Sequence, residues 1–345
     1  MSRDSDTILN AVNQSASKRR WRIPMKGVGW LTALVLVVTT GLGFWFSSEP
    51  DRFGVTDIVA ATHDGREPKS GSLTTGALLH ITRTLLNKPG GYLSNDVTPP
   101  GIVLDNMPNF EWGALVQARD LARALRKDFS RSQSQSTENQ HLVIAEPALN
   151  FDSEKWFPSA EGSYSKGEQA LERYLDSLLD PAQPDAQFFA RADNLRGWLS
   201  DVETRLGSLS QRLSASVGQE RINTDLAGDA NAQQSTPAPA VSVVKTPWLE
   251  IDDVFYEARG SAWALIQVLR AIEVDFAGVL DDKNARASVR QIIRELEATQ
   301  ANVWSPVIMN GSGFGMFANH SLVMASYISR AHSAMTDLRS LLSEG

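Results

Sequence analysis

The chain has no cysteine among its 345 residues. Disulfides, thiol nucleophiles and cysteine-ligated zinc or iron–sulfur sites are therefore excluded, and the fold must rest on its core. Histidine is scarce: His63, His80, His141, His320 and His332 show no ligand spacing. His320 and His332 share one predicted helix but lie 12 residues apart, over three turns, so they cannot hold one metal together. No region alternates with period two for long enough to make a substantial sheet; Gly101–Leu104 and Val241–Val244 are short at best. The glycine-rich stretch Asn310–Gly315 is followed by no Lys-Ser or Lys-Thr and preceded by no strand, so it reads as an interhelical turn, not a phosphate loop. No metal and no cofactor is expected.

One stretch lacks charge altogether. Gly27 to Phe46, GVGWLTALVLVVTTGLGFWF, is 20 residues long, and a helix of that length spans roughly 30 Å, the thickness of a bilayer's hydrocarbon core. Trp30 at one end and Phe44, Trp45 and Phe46 at the other suit the two interfaces. Lys18, Arg19, Arg20, Arg22 and Lys26 precede it, and Glu49 and Asp51 follow. Positive charge stays inside, so the N-terminus is expected in the cytoplasm and the large C-terminal part across the membrane. A cleaved signal peptide is the rival, but the basic segment is long and no small-x-small site follows the apolar run. An uncleaved signal anchor is the preferred reading.

The whole chain carries −7 and its first 26 residues hold six basic and two acidic side chains, which leaves −11 on residues 47–345. So acidic an exterior part disfavours nucleic acid, and no nucleic-acid partner is expected. A helical exterior domain without cysteine fits a bacterial envelope, and the expected location is a bacterial inner membrane with the domain in the periplasm.

The expected organisation is a basic cytoplasmic tail, 1–26, without structural periodicity; the membrane helix, 27–46; a periplasmic helical region, 47–218; a flexible linker, 219–247, rich in proline, glutamine and alanine; and a second helical region, 248–345, packing on the first. Helices are predicted over about 72–87, 110–129 with Asn109 as its cap, 164–179, 284–304 and 318–342. Two longer ones carry heptad seams. Phe188, Ala192, Leu195, Leu199, Val202, Leu206, Leu209 and Leu213 step 4, 3, 4, 3, 4, 3, 4, within a helix expected over 186–217. Ile251, Phe255, Ala258, Ala262, Leu265, Leu269, Ile272, Phe276 and Val279 repeat the pattern. A seam of this period needs a partner along its length. The economical solution is an antiparallel hairpin of these two helices with the linker at its tip; a homo-oligomer formed through the same seams is the alternative. The fold class is all-α: a transmembrane helix followed by a helical bundle containing a long heptad hairpin.

The segment Asn87–Trp112 is long and irregular, yet its apolar residues can anchor it, and such segments are often functional. Tyr92, Asn95, Asp96, Asn106, Asn109 and Trp112 are the candidate interaction residues. Glu111 and Asp96 are weak candidates for a catalytic acid. Such a role needs an apolar pocket and a second carboxylate, whereas Asp and Asn in turns, and Glu in a first helical turn, have ordinary structural uses. The Ser, Gly and Gln context that follows the acid of lytic transglycosylases is absent; Trp112-Gly113-Ala114 stands there. No residue is assigned to catalysis.

The phrases GGYLSNDVTPPGIVLDNMPNFEWGALVQARDLARALRKDFSRSQSQS and ARADNLRGWLSDVETRLGSLSQRLSASVG, behind a basic tail and single span, resemble DUF2333, a family of uncharacterised bacterial envelope proteins. The resemblance implies a Gram-negative inner-membrane protein and carries over no catalytic residue. The role expected is that of a scaffold or accessory subunit of an envelope complex, with a protein partner. A wall-acting enzyme or glycan-binding module, and a periplasmic sensor signalling through a partner, are the alternatives.

Overall fold

The computed structural model describes residues 25–132, 136–183, 186–223, 239, 241–305, 307–312 and 315–344. The basic tail before Met25, and most of the expected linker, lie outside the described residues. The chain separates into two compact units, Met1–Leu42 and Gly43–Gly345. In the first, helix α1 (Met25–Phe46) begins. Its stretch Val28–Phe46 is long and apolar enough to cross a membrane, and only 6% of the window buries against the chain.

Among the described residues the regular structure of the second unit is helical apart from one small hairpin and an isolated bridge between Asn310 and Asn319. Its helices are α2 (Val55–Thr62), α3 (Ser72–Asn87), α4 (Asn106–Ala124), α5 (Gln140–Leu149), α6 (Ala160–Leu179), α7 (Ala192–Ser214), α8 (Ile251–Asp275), α9 (Ala277–Asp282), α10 (Arg286–Ala298) and α11 (His320–Ser343). Strands β1 (Gln219–Ile222) and β2 (Val241–Val244) pair antiparallel, Gln219 opposite Val244 and Ile222 opposite Val241. Caps explain several starts: Asn139 accepts from the His141 and Leu142 N–H groups, Ser159 from Gly162 and Asn319 from Leu322. Gly71, before α3, holds φ +84°, which favours glycine, and has no side chain to cap with. Asp275 from the end of α8 supplies the cap instead, accepting the Thr74 N–H and hydroxyl at 2.7 Å each.

The centre of the core is the parallel pair α4 and α8. Phe110 lies 5.8 Å from Trp263 at one end, and Phe129 lies 5.4 Å from Phe276 at the other. Helix α7 runs antiparallel to both, with Arg205 on Asp120, Arg123 on Asp201 and Arg212 on Glu257. Helix α11 runs antiparallel along α7, where Glu203 meets Thr336 and Arg339. Helix α10 is antiparallel to α8, through Arg270–Glu297 and Arg290–Glu273.

The heptad seams therefore find their partners in ways the hairpin expectation did not capture. Leu195, Leu199, Val202, Leu206, Leu209 and Leu213 are buried, but α7 packs mainly on α11 and α8 mainly on α4, with α7 and α8 touching far less. A heptad requires a partner helix without naming it, and α8 meets α4 backbone to backbone at Gly260 and Gly113. Phe188, Ala192 and Val279, at the ends of the two seams, are only partly buried. Helix α4 also starts earlier than expected: Asp105, not Asn109, is its cap, accepting the Asn106 N–H at 2.9 Å. The linker is not uniformly irregular either. Its two ends form β1 and β2, tied to the end of α7 by the Thr246 N–H on the Ala215 carbonyl, 3.0 Å.

The bundle thus has two ends. At one, α3, α7 and α10 finish while α4, α8 and α11 start, so the described residues within 88–105, 215–250 and 299–319 flank this end. This is also the end that receives Gly43–Glu49. Phe46 packs toward Gly90, Gly43 lies against Pro100 and Leu104, and Glu49 pairs with Arg259 at 2.7 Å.

Candidate functional site

The segment 88–112 is held by one buried ion pair. The Lys88 ammonium lies 2.7 Å from Glu111 Oε1, with side-chain exposures of 1% and 0%. Lys88 also donates to the Gly91 carbonyl, 2.8 Å. The Glu111 carboxylate accepts the Leu93 N–H at 2.9 Å, the Ser94 N–H at 3.0 Å and the Ser94 hydroxyl at 2.7 Å. A carboxylate and an ammonium taken out of water each need such partners. Burial pushes the Glu111 carboxyl above the ordinary range, against the opposing pull of Lys88, Ser94 and the Leu93 N–H. With four donors on two oxygens and no exposed surface, Glu111 anchors the segment and does not face a space that a substrate could enter.

The other residues singled out from the sequence divide into two groups. Tyr92 is buried edge-on to Tyr164, 5.3 Å between rings, and burial raises its phenol pKa. Asn95 is buried too, its amide donating to the Lys155 carbonyl (3.0 Å) and Glu161 (2.8 Å). Asp96 packs under Gly101, where a Cβ would sit 2.0 Å from its Oδ2. Burial first, and Glu161 second, push its carboxyl above the usual range. These three fix the loop. Asn106, Asn109 and Trp112 instead lie on the exposed side of the start of α4. Asn106 is partly buried, and Trp112 is exposed, carrying the Arg119 guanidinium 5.2 Å from its ring centre. Asn109 donates to the Asp105 carbonyl (3.0 Å) and to Asp253 Oδ1 (2.7 Å).

Trp112 and Asn109 line a cleft of about 680 Å³, together with Asp105, Asp152, Glu154, Asp253 and Glu257. Five carboxylates and one exposed indole thus share a concave surface. The Asp253 carboxyl is pushed up to about 6 by burial and then by Asp252, Asp105 and Glu250. Sequence reasoning did not single out Asp253, because Asp105, Asp152 and Glu154, which share the cleft with it, lie about a hundred residues or more away in the chain. Among the described residues no group of three or more His, Asp or Glu is arranged to hold a metal ion. Glu257 is already paired with Arg212 and the Trp112 ring already carries Arg119, so the charge the cleft offers a cationic group comes from Asp105, Asp152, Glu154 and Asp253.

Residues 17–345 match the family model described as an uncharacterized protein conserved in bacteria, DUF2333, and the chain belongs to that family. Comparison with curated proteins and comparison with solved structures each give no match.

Proposed function

We propose that the protein is a single-pass protein of the bacterial inner membrane, its N-terminus cytoplasmic and its helical domain periplasmic, acting as a scaffold or accessory subunit of an envelope complex. The observation that carries this reading is α1: an apolar helix of membrane-spanning length that buries almost nothing against its own chain, placed behind a basic segment and in front of a folded acidic domain. The positive-inside bias supports the orientation. The partner surface is the acidic cleft at Trp112 and Asp253, and the partner segment it fits is cationic.

Crosslinking of the tagged full-length chain in its native envelope tests this. A defined protein should co-purify, and Trp112→Ala with Asp253→Asn should remove it while the chain still folds and stays in the membrane. Capture unchanged by the double variant removes the cleft from the reading.

A second reading, a wall-glycan binder or hydrolase, is favoured by one observation: a carboxyl with pKa about 6 beside an exposed tryptophan, a pairing that could protonate and stack on a sugar. It moves the acid from Glu111 to Asp253. Recovery of glycan fragments without a stoichiometric protein, lost in Asp253→Asn, supports it over the scaffold.

A further inference from the structure

Large apolar side chains are rarely left exposed in groups on a water-soluble surface. Here, beyond the apolar helix, they concentrate at one end of the bundle. Trp304 and Met316 are 92% and 93% exposed, and Phe317, Trp248, Ile102 and Val103 are each more than half exposed. All sit in the loops 88–105, 215–250 and 299–319. Toward the far end, where α8 stops, the exposed large apolar side chains among the described residues are aliphatic, Val274 and, on α5, Val143 and Ile144; Trp156 and Phe157 are exposed in the segment before α6.

This is also the end that holds Gly43–Glu49, the first residues of the folded unit, and two of the loops are tied to them. Ile102 and Val103 lie between Pro100 and Leu104, the two side chains against Gly43. Arg259, paired to Glu49, donates to the Thr299 and Ala301 carbonyls at 3.0 and 2.8 Å and so fixes the root of the loop bearing Trp304. Glu49 is three residues past Phe46, a reach of roughly 10 Å. The 310–319 loop is itself braced, Asn319 donating to Asn310 Oδ1 (2.8 Å) and to the Gly311 carbonyl (2.6 Å), so Met316 and Phe317 project from a closed turn. Asn310 donates to the Ser216 carbonyl, 2.8 Å, joining this loop to the base of the β1–β2 hairpin that leads to Trp248. Between Phe255, Val303, Trp304, Met309, Val323 and Met324 opens an apolar cavity of about 350 Å³.

We infer that this end of the domain docks on the bilayer that holds α1, with Trp304, Met316, Phe317 and Trp248 entering its interface and the cavity facing the lipid. The inference rests on the membrane-anchor reading above. Indole and phenyl rings favour the headgroup level. The ionised groups nearby are largely acidic, Glu49, Asp51, Glu250 and Asp252 among them, so attachment is through apolar insertion and does not need anionic lipid.

The absence of cysteine makes the test direct, since any introduced thiol is unique. The full-length chain is reconstituted in protein-free phosphatidylcholine vesicles with an environment-sensitive fluorophore on Trp304→Cys, Met316→Cys, Val274→Cys or Leu36→Cys in turn, and challenged with a quencher carried on the lipid. Labels at 304, 316 and 36 should lose most of their emission and the label at 274 almost none. Labels at 304 and 316 that stay in water while the label at 36 is quenched overturn the docking and leave the anchor intact. An unquenched label at 36 overturns both. Labels at 304 and 316 that are water-exposed in vesicles but shielded in native membranes overturn lipid docking in favour of a protein on the same surface.

Discussion

Gly113 of α4 and Gly260 of α8 each lie against the backbone of the other helix. A Cβ on Gly113 would sit 2.0 Å from the Glu257 carbonyl oxygen, and one on Gly260 would sit 1.9 Å from that of Phe110. The Ser261 hydroxyl closes the crossing, donating to the Gly113 carbonyl at 3.0 Å. Neither obstacle is the end of a flexible side chain, so the two helices must part if either glycine gains a methyl group. Gly113→Ala and Gly260→Ala should each destabilise the domain by about 2 kcal/mol or more. Denaturant titration in detergent measures this; a midpoint equal to wild type for either variant refutes the contact.

Lys88 and Glu111 give a prediction that separates structure from chemistry. Lys88→Met leaves a buried carboxylate without its counter-charge and should cost about 3–5 kcal/mol. Glu111→Gln strands the ammonium and should be costly as well, while the double variant should lose clearly less than the sum of the two. Should Glu111→Gln instead melt like wild type, the anchoring role of Glu111 fails.

Asp275 makes stability pH-dependent. Burial lifts its carboxyl to about 6, against hydrogen bonds from the first turn of α3. Folding therefore favours the protonated form. The contribution is fully present below the unfolded pKa of about 4 and is lost as pH rises through about 6, a change on the order of 3 kcal/mol. Asp275→Asn, whose Oδ1 can still accept the Thr74 N–H, should flatten the stability profile across the window of about pH 4 to 6. An equal slope in wild type and variant would assign the titration to another group.

At the acidic cleft the sign of the pH effect is opposite for binding. Asp253 gains charge as pH rises through about 6, so a basic peptide should bind the full-length protein more tightly at neutral pH than at acidic pH. Asp253→Asn should remove most of that dependence, and Trp112→Ala should weaken binding at both ends of the range. Fluorescence titration reads both; affinity that is indifferent to pH in wild type sinks the electrostatic part of the scaffold reading.

Long amphipathic helices were legible from the chain because burial writes its period directly into the residues. The run from Leu195 to Leu213 is buried in α7 as its spacing requires. Helices α2 and α5 were not anticipated: eight and ten residues give few repeats, and Pro147 inside α5 argues locally against it. Pro108 misled in the same way, since proline reads as a break yet is tolerated in a first helical turn, where it lies in α4. The irregular segment 87–112 was recognisable as an ordered feature, but its organising contact was not. Lys88 and Glu111 are 23 positions apart with no periodicity linking them, and a lysine before Pro-Gly-Gly reads as part of a turn. The cleft was still less legible, because Asp105, Asp152 and Asp253 meet only through tertiary packing.

The β1–β2 hairpin carries a practical consequence. Ile222 and Val241 are paired, so the two strand ends that border residues 223–240 stand about 5 Å apart, one strand spacing. The helices on either side are set by their own contacts and feel only that short gap. Loop-closure cost rises slowly with length, so this is the point in the sequence where material can be added with least burden on the core. A reporter or affinity module spliced between those two residues would be displayed from the folded unit without any terminus being altered.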